Sequence, residues 1–99
     1  MEPSTATDTL SELESVVRSR LGADPAQSYS ARLLADPELV QRKIMEEAFE
    51  VCLEIAREPR SERTAEEAAD LLYHLVVGLV ASGTSVADVM AVLEARRAR

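Results

Sequence analysis

Two short acidic segments carry the side chains of this chain that could do chemistry. They read Lys43-Ile-Met-Glu46-Glu47-Ala-Phe-Glu50 and Glu66-Glu67-Ala-Ala-Asp70. Residues three or four apart share one face of an α-helix, so Glu47 lies beside Glu50, and Glu67 lies beside Asp70. Two antiparallel helices joined by a short linker could therefore bring these four carboxylates together.

Four carboxylates at close quarters repel one another unless a cation lies among them. Hard oxygen ligands without histidine or cysteine favour Mg²⁺ or Mn²⁺. Such an ion can hold phosphate groups, orient a water molecule and stabilise charge that develops on phosphorus. The alternative is that both stripes are solvated helix faces paired with lysine or arginine, which is a common use of glutamate. Both stripes border the apolar face of their helices, which favours the metal site.

The hydrophobic pattern predicts four to five helices that would position these segments. Their expected ranges are 8–21, a short piece at 30–35, 37 to about 57, about 64 to 82, and 85 to about 96. The expected boundary signals are Asp36-Pro37, a Thr64–Glu67 capping box, Ser82-Gly83 and a Ser85–Asp88 pair. The face of the 37–57 helix expected in the core comprises Val40, Ile44, Ala48, Val51, Cys52 and Ile55.

The composition indicates one all-α domain, residues 8–99, behind a flexible tail of residues 1–7. The 99 residues are 46% hydrophobic, enough for a packed core, and only 3% are aromatic, too few for an all-β domain. The net charge of −7 argues against nucleic-acid or anionic-membrane partners.

A single cysteine, Cys52, excludes an intrachain disulfide and a cysteine-based zinc site. We therefore expect a reduced, cytoplasmic protein, with Cys52 as a small core residue.

The second half of the helix from Thr64 is apolar on almost every side. Its apolar residues are Leu71, Leu72, Tyr73, Leu75, Val76, Val77, Leu79 and Val80. A helix of this kind must be covered all round, and a chain of this size buries too little surface to do so by itself. The pattern predicts a homodimer with this helix central to the interface. The uncharged stretch 71–87 is shorter than the roughly 20 residues needed to span a bilayer, so no membrane segment is expected.

Taken together, the motifs resemble those of the phosphoribosyl-ATP pyrophosphohydrolase family, which acts in the second step of histidine biosynthesis. That family is one of the all-α NTP pyrophosphohydrolases, whose pattern Glu-Glu-x-x-Glu, a gap, then Glu-x-x-Asp is similar to 46–50 and 67–70 here. The further matching segments are Ser28-Tyr29-Ser30-Ala31-Arg32-Leu33-Leu34, Lys43-Ile-Met-Glu46-Glu47, Asp70-Leu71-Leu72-Tyr73-His74 and a closing Leu93-Glu-Ala-Arg96. The resemblance covers about residues 8–97.

The resemblance implies hydrolysis of the α–β phosphoanhydride of phosphoribosyl-ATP, with Mg²⁺ or possible Mn²⁺ as cofactor. It implies metal ligation by Glu47, Glu50, Glu67 and Asp70. Glu46 would be a further ligand or would orient the attacking water, and Lys43 would meet substrate phosphate or balance the acidic cluster. Ser28, Tyr29 and Arg32 would lie near the phosphoribosyl or triphosphate end of the substrate.

Two other functions stay open at this point. A MazG-like enzyme would keep the chemistry and act on canonical or damaged nucleoside triphosphates. A non-catalytic helical dimerisation module would use the acidic stripes only as solvated faces. Outside the acidic segments, His74 is expected to be a packed or supporting group, and Arg42 is expected to pair with an acid at helical spacing.

Overall fold

Five helices make up the computed structural model, which describes residues 6–57 and 59–98. They are α1 (Ala6–Arg18), α2 (Tyr29–Leu34), α3 (Pro37–Ile55), α4 (Thr64–Ser82) and α5 (Val86–Arg97). No strand occurs in the described residues, so the all-α prediction is confirmed. Residues 1–5 of the predicted tail lie outside the described part of the chain. Helix α1 begins at Ala6, two residues before the expected start, and ends at Arg18 rather than near Gly22.

Local capping marks several of the helix ends. The Asp36 carboxylate accepts a hydrogen bond from the Leu39 N–H at 3.2 Å, and Pro37 occupies the first turn of α3. Ser85 and Asp88 form the reciprocal capping box expected at the start of α5. Helix α4 ends at Ser82, and the positive φ of 79° at the following Gly83 suits a residue without a side chain. These three predicted boundaries are confirmed.

The capping box predicted at Thr64 and Glu67 is wrong. Arg63 is the N-cap residue of α4, and no side chain among the described residues caps this helix. The Thr64 hydroxyl instead donates to the Ser61 carbonyl at 3.1 Å. The Glu67 carboxylate turns towards the Arg63 guanidinium and away from the backbone. A charged partner one turn earlier thus displaces the expected backbone hydrogen bond.

One hydrophobic core joins all five helices. Its buried members are Val17, Leu33, Leu39, Val40, Val76, Val77, Val80 and Val86. Helix α4 crosses the centre of this core and packs on α1, α2 and α3. Because α4 is the main neighbour of α3, only a narrow stripe of α3 is covered. Cys52 and Ile55, both expected in the core, are exposed, so that part of the prediction is wrong.

The apolar character of α4 does not translate into complete burial. Val76, Val77 and Val80 are buried, whereas Leu72 and Leu75 remain 43% and 40% exposed. Within the described residues, no single helix is long and apolar enough to cross a bilayer. Only α4 and α5 taken together would reach that length, and they are bent by 105° at the break between them.

Candidate metal centre

A close approach of α3 and α4 brings the two acidic segments together. Gly78 of α4 faces Ile44 and Val40 of α3, and a Cβ at Gly78 would lie 3.2 Å from the Ile44 Cδ1 and 3.4 Å from the Val40 Cγ1. The C-terminal half of α4 therefore lies against the N-terminal half of α3, so the helices are antiparallel. On α4 this contact lies two to three turns from Asp70 and Glu67, whereas on α3 Ile44 lies within one turn of Glu47.

Three of the four predicted metal ligands converge. Carboxylate oxygens of Glu47, Glu67 and Asp70 all lie within 4.8 Å of one another. Glu67 is buried, Glu47 is half-buried and Asp70 is exposed, so the group extends from the protein interior to the surface. Glu50 is exposed and does not belong to this group. Three oxygen donors without histidine or cysteine suit a hard divalent cation such as Mg²⁺ or Mn²⁺.

Arg63 pairs with the most buried of these carboxylates. Its Nη2 donates to the Glu67 Oε1 at 2.6 Å, and the two residues lie one helical turn apart. The hydrogen bond to Glu67, followed by attraction to Glu67 and Glu54, raises the pKa of Arg63 above its usual value. The i, i+4 spacing from Arg63 to Glu67 was visible in the sequence, but the capping-box interpretation concealed it.

Lys43 and Glu46, which with Glu47 are the predicted catalytic residues, lie one turn apart on α3, where Lys43 is half-buried and Glu46 is exposed. The Lys43 ammonium is 3.5 Å from the Glu46 carboxylate, and the Arg42 guanidinium is 3.9 Å from the other oxygen of that carboxylate. The predicted pairing of Arg42 with an acid is therefore confirmed. Glu46 is not one of the three converging carboxylates. Glu46 immediately precedes Glu47 in the sequence but pairs with Arg42 and Lys43.

The predicted substrate segment lies on α2. Ser28 caps this helix, accepting a hydrogen bond from the Ala31 N–H at 3.1 Å. The Tyr29 ring stacks on that of Tyr73, with centroids 6.1 Å apart. Arg32 is exposed on the same helix. The segment is therefore tied to α4 through Tyr29, while Arg32 is accessible to a ligand.

His74 connects this segment to the carboxylates. Its Nδ1 lies 2.8 Å from the Asp70 carbonyl oxygen, and its Nε2 lies 2.8 Å from the Tyr29 hydroxyl. A carbonyl oxygen only accepts, so Nδ1 carries the proton, and in the neutral imidazole Nε2 accepts from Tyr29. His74 is buried, as expected of a packed supporting group. The sequence offered no signal for its contact with Tyr29, 45 residues away.

A second buried carboxylate lies beyond the metal candidate, at the junction of α3 and α4. Glu54 accepts a hydrogen bond from the Ser61 hydroxyl at 2.7 Å and pairs with Arg57 at 3.1 Å. These residues, with Arg60, line an open pocket of about 370 Å³. Sequence analysis missed Glu54, because its position on α3 gave no sign that a linker residue would cover it.

The fold and the acidic helix pair define an all-α protein with a carboxylate cluster suited to a divalent metal ion. The profile of the phosphoribosyl-ATP pyrophosphohydrolase family matches residues 10–97. The chain belongs to this family, as the sequence motifs indicated. Among its relatives, a phosphoribosyl-ATP pyrophosphatase of Cereibacter sphaeroides is 51% identical over 88 residues, covering 88% of this chain and 84% of that protein.

Relatives from more distant sources agree. A phosphoribosyl-ATP pyrophosphatase of Caulobacter vibrioides is 43% identical over 90 residues, covering 91% of this chain and 83% of that protein. One of Pyrobaculum arsenaticum is 50% identical over 90 residues, covering 89% of this chain and 94% of that protein. The similarity therefore extends over both acidic segments and all five helices.

Proposed function

We propose that this chain hydrolyses the α–β phosphoanhydride of phosphoribosyl-ATP, in histidine biosynthesis. Water adds to phosphorus, the anhydride bond breaks, and the products are phosphoribosyl-AMP and pyrophosphate. The observation that carries the proposal is the convergence of Glu47, Glu67 and Asp70 from two antiparallel helices. Family membership supports the substrate, because the relatives described above bear the name of this activity. Because the substrate is built from ATP, we assign the reaction to the cytoplasm.

The donor set fits Mg²⁺, with Mn²⁺ as a substitute. Glu47, Glu67 and Asp70 would hold the ion, and Glu50, one turn along α3 from Glu47, is the fourth ligand we propose. A bound ion supplies positive charge that screens the phosphate oxygens and favours attack by water. By holding the cation, the carboxylates would fix where the triphosphate lies. Without a cation, the acidic surface would repel it.

The flanking residues divide into water and substrate groups. We assign Glu46 to the attacking water, because its exposed carboxylate adjoins Glu47 and can accept a proton. Lys43, held 3.5 Å from Glu46, can also reach a phosphate oxygen and offset its charge. For the phosphoribosyl or triphosphate end we propose Ser28, Tyr29 and Arg32. Arg32 offers a guanidinium fork, which suits phosphate better than a point charge does.

We also propose that the protein is a homodimer. Helix α3 exposes an apolar stripe of Met45, Phe49 and Leu53, spaced one turn apart, with Met45 73% and Phe49 62% exposed. The neighbouring helix α4 exposes Leu72 and Leu75. Exposed apolar side chains on both helices of this pair call for an apolar partner, and a second copy supplies a matching pair of helices.

Pyrophosphate release tests the activity. With Mg²⁺ present, phosphoribosyl-ATP should be cleaved in preference to ATP and dUTP. Preference for ATP or dUTP would instead favour a MazG-like nucleoside triphosphate pyrophosphohydrolase. Failure to cleave any of the three, together with no thermal response to metal, would favour the helical dimerisation module.

Thermal unfolding tests the metal site independently of the substrate. Mn²⁺ or Mg²⁺ should raise the Tm of the wild type, because a ligand of the folded state stabilises it. Asp70→Asn should abolish this shift and the activity. Glu12→Gln removes the same charge from an exposed position on α1 and should keep both.

A further inference from the structure

The most buried carboxylate of the metal candidate already has a cationic partner. Glu67 is only 7% exposed, and its Oε1 accepts a 2.6 Å hydrogen bond from Arg63. Among the described ion pairs, this is the one that reaches a member of the group Glu47, Glu67 and Asp70. Lys43 and Arg42 pair instead with Glu46, outside the group.

A guanidinium and a divalent cation compete for such a carboxylate. Without metal, three carboxylates within 4.8 Å repel one another, and Arg63 offsets part of that repulsion. With metal, the ion and the guanidinium would lie on one carboxylate and repel each other. If the Arg63–Glu67 pair breaks when the metal binds, the free energy that the pair contributes is lost and the metal affinity falls by that amount.

Resting on the proposed metal-dependent function, we propose that Arg63 is the exchangeable counter-ion of the metal site. Arg63 holds the Glu67 carboxylate in place while the site lacks metal, and it leaves Glu67 when a divalent cation binds. Arg63 therefore stabilises the metal-free protein and lowers its metal affinity.

The position of Arg63 allows this exchange. Its side chain is 66% exposed, so a rotation of the side chain into solvent meets little packing. It precedes the first turn of α4, so the movement leaves the helix intact. Glu54 and Glu66 also attract this guanidinium and provide alternative partners once it leaves Glu67.

Calorimetric titration with Mn²⁺ tests the inference on the wild type and on Arg63→Gln. In Arg63→Gln the metal no longer has to displace a charge-assisted hydrogen bond from Glu67. Because the donor is largely exposed, Mn²⁺ binding should tighten by only about three- to tenfold. Arg57→Gln is the matched control, because Arg57 lies near the same linker and is equally exposed but pairs with Glu54. Arg57→Gln should change the Kd for Mn²⁺ less than about twofold. This small change comes from the loss of a positive charge that acts on the metal site only at long range.

Thermal unfolding adds a second readout. Arg63→Gln should have a lower Tm than the wild type without metal, and the difference should disappear in saturating Mn²⁺. Arg63→Lys keeps the charge without the planar guanidinium, so its Tm without metal should lie between those of the wild type and Arg63→Gln. This variant keeps the inference testable if Arg63→Gln folds poorly.

Unchanged or weaker Mn²⁺ binding by folded Arg63→Gln would overturn the inference, since Arg63 would then support metal-bound Glu67 or play no part. If the wild type binds Mn²⁺ and cleaves substrate while this result is obtained, only the inference fails. A wild type that binds no divalent cation would overturn the proposed function and this inference together.

Discussion

The Tyr29 hydroxyl lies 2.8 Å from the Nε2 of His74, and the Nδ1 of the same ring lies 2.8 Å from the Asp70 carbonyl oxygen. One buried imidazole thereby joins α2 to the turn of α4 that carries an acid of the metal candidate. Both ring nitrogens are satisfied, so the ring is fixed in orientation as well as in position. The segment proposed to bind substrate and the segment proposed to bind metal therefore share one rigid support.

Tyr29→Phe should destabilise the protein by about 1–2 kcal/mol, because it leaves the buried Nε2 of His74 without a partner. Urea unfolding at neutral pH measures the loss. Tyr73→Phe, which removes the hydroxyl that contacts half-buried Ser30, should cost less, because water can replace it. The double variant Tyr29→Phe/His74→Leu should reveal coupling between the two sites. Simple additivity would show that the hydrogen bond contributes no stability.

Gly78→Val should lower the free energy of unfolding by about 1–3 kcal/mol, because the added methyl groups would overpack the contact with Ile44 and Val40. The same wedge would separate α3 from α4 and weaken Mn²⁺ binding. Gly78→Ala should be close to neutral, since a helix-propensity gain of about 1 kcal/mol offsets a small shift of the Ile44 methyl. Chemical denaturation and metal titration measure both effects. A valine variant as stable as the wild type would contradict the close approach of the helices.

Asp88 provides a pH-dependent contribution to stability. Its hydrogen bonds from the Ser85 N–H and then the Ser85 side chain lower its pKa below the usual value for aspartate. A depressed pKa in the folded state contributes stability above the unfolded pKa, near 4, and that contribution is lost as the pH falls through the folded value. Asp88→Asn keeps an acceptor but removes the charge.

The stability difference between wild type and Asp88→Asn should therefore be largest at neutral pH and should vanish in acid. Urea unfolding across that pH range measures it. Ser85→Ala removes only the side-chain contribution and keeps the backbone N–H donor, so it should reduce the same pH dependence in part. A difference that stays constant with pH would show that the charge of Asp88 does not contribute.

Phe49→Glu should convert the proposed homodimer into a monomer. Phe49 is 62% exposed in the single chain, so a charged replacement is compatible with the fold of one copy but not with an apolar interface. Light scattering after size-exclusion chromatography measures the mass, and circular dichroism checks the helix content. Gln41→Glu places the same charge at another exposed position on α3 and should leave the mass unchanged. A dimeric Phe49→Glu protein would exclude this stripe from the interface.

Local signals predicted most of the helices well. Asp36, Gly83 and the Ser85–Asp88 pair act within one helical turn, so their effect can be recognised without knowing the tertiary structure. The convergence of Glu47 with Glu67 and Asp70 was also predictable, because one short linker joins the helices.

Features that depend on neighbours were not predictable. Cys52 and Ile55 were expected on the same face as buried Val40, yet both are exposed. Buried Glu54 accepts a hydrogen bond from Ser61, a residue of the linker and not of its own helix. Periodicity shows which residues share a face, but it cannot show how far a neighbouring helix covers that face.

The antiparallel pairing of α3 and α4 has a consequence for the order of folding. Glu47 and Glu67 are 20 positions apart, so the loop that must close to bring them together is short and its entropic cost is low. Docking of α5 on α1 instead joins distant parts of the chain, as in the 3.3 Å contact of the Val86 N–H with Glu14, 72 residues away. We therefore expect the α3–α4 hairpin to form early and independently of the chain ends.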